Sequence, residues 1–313
     1  LLSFENIDHT LSVSTIKLDG VLVKEVSRSF YLTLRMLPES VRGIISLGYL
    51  LARVSDTIAD TSSLGIKERI ICLEKFKEDF SSQKASPQLL ELVSTQFSNQ
   101  PHEGERILMT QLSVIIEATK SFSKEEQTYL RKVIRTIISG QKWDLEFFRG
   151  DLTQVKTEAE LDQYTYKVAG CVGEFWTEIL FLQELVRNTK KEEMLRLGIN
   201  YGKGLQLTNI IRDIPEDFQN GRIYIPRVPP NLPEIVTGAK PWQNKAANFL
   251  NDGIKYSKET PKGKLRAATI LPAKLGLKTL ALLEATPIEE RVSSKVKIPR
   301  SMVFKQLILS FTA

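Results

Sequence analysis

The sequence predicts a single all-α domain, and three observations carry that expectation. Apolar residues recur at helical spacing along nearly the whole chain, strand-like alternation is almost absent, and the breaks carry helix punctuation instead of linker composition. The periodic runs are 41–54, 68–80, 105–120, 125–148, 159–186, 193–212, 242–256 and 268–284. Leu37-Pro38-Glu39 opens the first of them, with proline and an acid at the expected end of a helix. Ser123 with Glu126 three residues later has the form of a capping box and opens the fourth. The proline-rich stretch 226–233 reads as a loop, and "NGRIYIP" before it ends in a strand-like apolar tag. With no repeat of fixed period and no low-complexity linker, one domain over 1–313 is expected, residues 1–20 forming an irregular N-terminal segment.

Composition narrows the function classes. At 313 residues the chain is long enough to bury a large core, and hydrophobic and charged fractions of 42% and 26% are those of a globular protein. The net charge of +6, from 43 basic and 37 acidic residues, is spread along the chain. That spread fits an anionic substrate or an anionic membrane surface and is too diffuse for nucleic acid. Cys72 and Cys171 are the only cysteines and lack metal-ligand spacing, so neither a zinc site nor a disulfide framework is expected. With His9 and His102 the only histidines, acid–base chemistry falls to carboxylates, tyrosine, lysine or water. No apolar run reaches the length of a membrane span, and the leucine at position 1 is compatible with removal of a preceding signal or anchor. A monomer is compatible with all of this, and no stretch specifies an oligomer.

Two acidic pairs stand out. "DTIAD" at 56–60 and "DIPED" at 213–217 both follow an apolar helical run, with Arg53 and Arg212 beside them. Residues four apart share a helix face, so each pair aims two carboxylates into one volume. Asn209 and Gln206 extend the second pair backwards. A lone pair of this kind usually lies on a solvated face. Two pairs in apolar surroundings with interspersed arginines instead fit magnesium, held by one or two carboxylates together with substrate phosphates. Pro215 either kinks the second helix, re-aiming Asp217, or opens a fresh turn.

Four ordered stretches carry a family resemblance: "SRSFYLTLRMLP" at 27–38, "YLLARVSDTIAD" at 49–60, "YTYKVAGCVGEF" at 164–175 and "GKGLQLTNIIRDIPEDFQNGRIYIP" at 202–226. The chain resembles the squalene and phytoene synthases over roughly residues 24–310. The resemblance implies an isoprenoid-synthase-type helical bundle around a central cavity, in which two prenyl diphosphates are joined head to head with Mg²⁺. It implies metal binding by Asp56, Asp60, Asn209, Asp213 and Asp217, and diphosphate contacts from Ser27, Arg28, Ser29, Tyr49, Arg53, Gln206, Arg212 and Arg222. Tyr164 would serve the cation chemistry together with the aspartates, and Phe30, Val168 and Gly173 would line the prenyl pocket. Tyr164 read alone could equally be a core aromatic, and Ser27 a helix cap.

The tail "LPAKLGLKTLALLEA" at 271–285, followed by "KVKIPR" at 295–300, resembles the squalene-type C-terminal region. That implies farnesyl diphosphate as substrate, squalene as product and NADPH as reductant, with Arg28 and Lys297 at its phosphate. Pro299 and Val21 stand where the family pattern offers basic residues. Presqualene diphosphate, dehydrosqualene or phytoene, made without NADPH, are the alternative products. Terpene cyclases and chain-elongating prenyltransferases favour D-D-x-x-D, a doubled start that "DTIAD" lacks. A non-enzymatic alternative is a helical adaptor binding anionic lipid headgroups. An apolar product implies a cytoplasmic enzyme working at a membrane surface.

Overall fold

The computed structural model describes residues 30–97, 102–186, 188–293 and 295–311. The apolar runs become helices, with the run 105–120 divided at Gln111 and the run 159–186 ending at Leu182. They are α1 (Phe30–Arg35), α2 (Glu39–Asp60), α3 (Ile66–Ser82), α4 (Pro87–Gln96), α5 (Glu103–Thr110), α6 (Leu112–Ala118), α7 (Lys124–Phe147), α8 (Glu158–Thr165) and α9 (Cys171–Leu182). The second half holds α10 (Lys191–Arg212), α11 (Ile214–Gln219), α12 (Leu232–Gly238), α13 (Lys240–Lys258), α14 (Lys264–Ala285), α15 (Ile288–Ser293) and α16 (Arg300–Ser310).

Local chemistry explains the ends. Before α2, Pro38 sits at φ −55° and Glu39 follows in the first turn, at the positive end of the helix dipole. The Ser123–Glu126 capping box forms as expected: the Glu126 amide donates to Ser123 Oγ at 3.2 Å and the Ser123 amide to Glu126 Oε2 at 2.9 Å. Thr157 and Glu160 build a second box at the start of α8.

Two expected helices are interrupted where the site forms. The run 159–186 contains a π turn at Tyr166–Gly170, between α8 and α9, an insertion frequent at functional sites. The run ending at Arg212 breaks at Asp213, and Pro215 opens α11 as a fresh turn, where its missing N–H costs nothing. The strand-like tag is real but minimal. β1 (Thr153–Gln154) pairs in parallel with β2 (Arg222–Ile223), fixing Arg222 opposite Thr153.

The core forms two joined clusters. One is built on the buried stripe of α2 (Val41, Ile44, Leu47, Leu51, Val54 and Ile58) packed against α3, α7 and α9. The other gathers α10, α13 and α14 around Leu207, Ile211, Ala246, Leu250 and Leu280. Between them α9 and α10 touch backbone to backbone. A Cβ at Gly173 would lie 1.9 Å from the Gly198 carbonyl oxygen, and one at Gly202 2.2 Å from that of Ala169. Gly173→Ala should therefore force the two helices apart, with a loss of about 3 kcal/mol in chemical denaturation. Unchanged stability would contradict the close approach.

Candidate active site

The last turns of α2 deliver Asp56 and Asp60 to a cavity of about 250 Å³, lined also by Gln141, Asp144, Tyr164, Val168, Gln206 and Arg222. Both carboxylates stand near the C-terminal, negative end of a helix whose last turn holds no basic residue. That is the unfavourable end for an anion. Gln141 Nε2 donates to Asp56 Oδ1 at 2.7 Å, and Arg53 reaches Asp56 Oδ2 at 3.3 Å and Glu105 Oε1 at 3.1 Å. Burial, with Asp60 adding, pushes the Asp56 carboxyl up to about 6 despite Arg53 and Gln141. Asp60 is an exposed residue on the cavity wall, and desolvation by the surrounding protein raises its pKa against the pull of Arg222 and Arg53.

The second acidic motif approaches from α10 and α11. The Asp213 amide donates to the Asn209 carbonyl and the Asp217 amide to the Asp213 carbonyl, both at 2.9 Å, so the helical path survives the proline. Asp213 is already compensated: Arg212 binds it with Nε at 2.9 Å and Nη2 at 2.6 Å, and Lys295 Nζ stands 2.8 Å away. Burial works against ionisation there, but these cations hold the carboxyl below its ordinary range. Asp217 differs. Burial pushes it up to about 7, with Asp213, Asp144 and Glu216 adding and Arg222 opposing. Asp217 thus lies within electrostatic reach of Asp213, Arg222 and Asp144, but it lines a small neighbouring pocket with Phe218, Arg222 and Tyr224 and not the cavity of Asp56 and Asp60.

Arg222 joins the two motifs. Its Nη1 donates to Asp144 Oδ2 at 3.2 Å, and its charge acts on Asp60 and Asp217 as well. Asp144, buried on α7, also accepts from Tyr224 Oη at 2.5 Å. Tyr164 is bonded into the same network, and burial first, then Tyr224 and Asp144, raises its pKa far above the usual phenol range. It therefore stays protonated. Tyr164 stacks on Tyr224 with ring centroids 5.2 Å apart and tilts against Trp143 at 5.2 Å. Tyr164 is the aromatic residue on the cavity wall, held in place by these two rings.

An apolar slot of about 210 Å³ adjoins, lined by Val168, Gly173, Trp176, Tyr201, Leu205 and Pro272 among others. Val168, on the π turn, lines both the slot and the acidic cavity. Val168 and Gly173, expected in a prenyl pocket, both line this slot. Phe30 begins α1, and Ser27, Arg28 and Ser29 lie outside the described residues.

The other expected residues divide. Gln206 and Arg222 line the cavity and Arg53 bonds Asp56 on its wall, whereas Arg212, Asp213 and Asp217 stand outside its lining, with Arg212 bracing Asp213. Tyr49 is half-buried and packs on the first core cluster, while Asn209 is exposed. Lys297 is exposed on the segment before α16, and Lys295, two residues earlier, is the one that reaches the second motif. Gln141, Asp144 and Tyr224 escaped the sequence reading.

The donor set fits a hard divalent cation. Carboxylates crowd one another at raised pKa, and Gln141 Oε1 is buried without a hydrogen-bond partner. Among the described residues no group of three or more acidic, histidine or cysteine side chains forms a ready metal cage. Magnesium held by one or two carboxylates and by substrate oxygens needs none.

A pH test follows. Asp56, Asp60 and Asp217 have folded-state pKa values above the unfolded value of 3.8, so ionising them opposes folding. Their effect on stability is absent below that value, and stability falls as pH rises through about 6 and about 7. The depressed Asp213 acts only at lower pH. Saturating Mg²⁺ should raise the melting point at a pH of about 7.5, a gain of about 2.7 kcal/mol at a hundredfold excess over Kd, and should do little at about pH 5. Equal gains at both would contradict the carboxylate site.

Comparisons with known proteins bear on the family and the fold. Residues 23–228 match the model of the family described as squalene/phytoene synthase. A squalene synthase of Eremothecium gossypii is 26% identical over 221 residues, covering 70% of this chain and 48% of that protein. A bifunctional lycopene cyclase/phytoene synthase of Phycomyces blakesleeanus is 29% identical over 234 residues, 72% of this chain and 36% of that protein. The chain spans about half the length of the curated relatives it matches. Among solved structures, the complex of TcSQS with the ligand BPH1237 superposes with a TM-score of 0.73 at 21% identity, covering 93% of this chain and 84% of that one, which shows the fold.

Proposed function

The chain belongs to the squalene/phytoene synthase family, and from that premise we propose that it condenses two farnesyl diphosphates head to head, through presqualene diphosphate, to squalene. One observation carries the reading. The first acidic motif lines a polar cavity together with Arg222, whose charge also acts on Asp217 of the second motif, and that cavity shares Val168 with an apolar slot. This is the shape of a ligand with an anionic head and a hydrocarbon tail.

Asp56, Asp60, Asp213 and Asp217, with Asn209, would hold magnesium. The metal supplies neutralisation of the leaving diphosphate when bound. The chain's own residues do the rest. Arg222 and Arg53 offer guanidinium donors to phosphate oxygens. Tyr164 and Tyr224 keep their protons, Tyr164 puts aromatic surface on the wall of the cavity where an allylic cation would form, and the apolar slot holds the tail away from water. Asp144 positions Arg222 and the tyrosines by accepting their hydrogen bonds. The closing reduction is assigned to NADPH, with the exposed Lys297 as its candidate contact among the described residues.

Incubation with farnesyl or geranylgeranyl diphosphate and Mg²⁺, with and without NADPH, followed by identification of the hydrocarbon, tests this. Squalene formed from the C15 substrate only with NADPH supports the reading. Phytoene from the C20 substrate overturns it.

A further inference from the structure

The two acidic motifs are not equally free to take a cation. At the first, the side chain of Arg53 is shared between Asp56 at 3.3 Å and Glu105 at 3.1 Å. At the second, both oxygens of Asp213 are already engaged. Its Oδ1 accepts from Arg212 Nε at 2.9 Å and pairs with Lys295 Nζ at 2.8 Å, and its Oδ2 accepts from Arg212 Nη2 at 2.6 Å. Lys295 also holds Glu216 Oε2 at 2.9 Å. Two cations thus face two carboxylates, and a divalent ion arriving at Asp213 would find its charge already answered.

The fold brings Lys295 to this place. α15 packs against α11 and α12, and Val292 and Val296, before and after the lysine, are seated on the second core cluster. The lysine therefore has a fixed root and a flexible four-carbon stem. Its ion pairs add little to folding. Lys295 is 37% exposed and Glu216 62%, and pairs as wet as that contribute almost nothing measurable to stability. What sets the contact apart is its position, on a carboxylate of the second acidic motif.

We propose that Lys295 is a tethered counter-cation that competes with the divalent metal ion for Asp213. Of the two cations on that carboxylate it is the one able to leave. Arg212 is joined by two hydrogen bonds from a planar fork, whereas Lys295 is a point charge on a rotatable stem. Once displaced it keeps Glu216 as a partner, so its charge is not stranded. The competition makes the second motif the later one to load, with the phosphate oxygens of a substrate strengthening the hold on the ion. This inference rests on Asp213 as a metal ligand; it does not need the proposed condensation.

Mn²⁺ binding to the full chain, with the free ion read by electron paramagnetic resonance, tests the inference without substrate or turnover, since Mn²⁺ shares the oxygen preference of Mg²⁺. Lys295→Gln should lower the Kd for Mn²⁺ about fivefold or more, most strongly at low ionic strength. Its circular dichroism should not change, because Arg212 still neutralises Asp213. Lys295→Arg, which keeps the charge, should return the Kd toward the wild-type value. Adding Asp213→Asn to Lys295→Gln should remove the gain, which puts the competition on Asp213. A Lys295→Gln variant that binds Mn²⁺ no more tightly than wild type overturns the proposal, and so does a gain that persists beside Asp213→Asn. If Lys295→Gln has no effect while Asp213→Asn alone weakens binding, Asp213 remains a ligand and Lys295 loses its role. A chain that shows the Lys295 effect yet leaves farnesyl diphosphate intact keeps the competition and removes the proposed reaction.

Discussion

Asp56→Asn is expected to lower turnover of the prenyl diphosphate by about 10³-fold, the scale of losing one preorganised charge-stabilising group, while the melting point stays level or rises. The two halves of that result come from the same environment. Asparagine keeps the oxygen that accepts from Gln141 Nε2, and Arg53 keeps its ion pair with Glu105. What disappears is a negative charge that burial and Asp60 make costly in the folded chain, as the rise to about 6 records. Removing it cannot destabilise through lost pairing alone. A variant that melts like wild type but no longer turns over separates chemistry from folding, and near-normal turnover would remove Asp56 from the site.

Arg222→Ala should cost at least about 10²-fold in kcat/KM and move the acid limb of the pH profile upward by about one unit. Arg222 lowers the pKa of Asp60, Asp217 and Asp144 alike, so its loss raises all three. Carboxylates that must be ionised to bind a cation then do so only at higher pH. Arg222→Lys should restore much of the limb, since a charge returns, and little of the turnover, since an ammonium cannot offer the planar fork. Stability should fall too, because Asp144 is left buried without its cation. With Arg222 33% exposed, the usual cost of a broken buried pair is discounted to about 2 kcal/mol. An unshifted pH limb would show that Arg222 serves only to anchor β2.

Much of this site was legible in the sequence because its parts come in spaced pairs. Asp56 with Asp60, and Asp213 with Asp217, announce themselves as doubled acids on apolar helices, and the family motifs add Arg53, Gln206, Tyr164 and Arg222. Asp144 and Gln141 were not read because each is a single polar residue on a long helix. Their signal was available, since both interrupt the apolar face of α7 that carries Ile137, Ile138 and Leu145. Tyr224 passed as part of an apolar tag, and its hydroxyl matters only through a chain-distant partner on α7. The two-residue β ladder is too short to leave an alternation. The question posed by Pro215 needed coordinates, because a kink and a fresh turn share one sequence. The reach of Lys295 to Asp213 likewise depends on how α15 folds back toward α11 and α12.

The most direct test of the central claim is a calorimetric titration with farnesyl thiodiphosphate, which cannot ionise readily, in Mg²⁺ and in EDTA. The two acidic motifs repel an anionic ligand unless a cation joins them to it. Binding should therefore require Mg²⁺ in wild type and weaken at least about tenfold in both Asp56→Asn and Asp217→Asn. Binding of equal strength in EDTA, or unaffected by both substitutions, would contradict a site in which the two motifs hold one diphosphate between them.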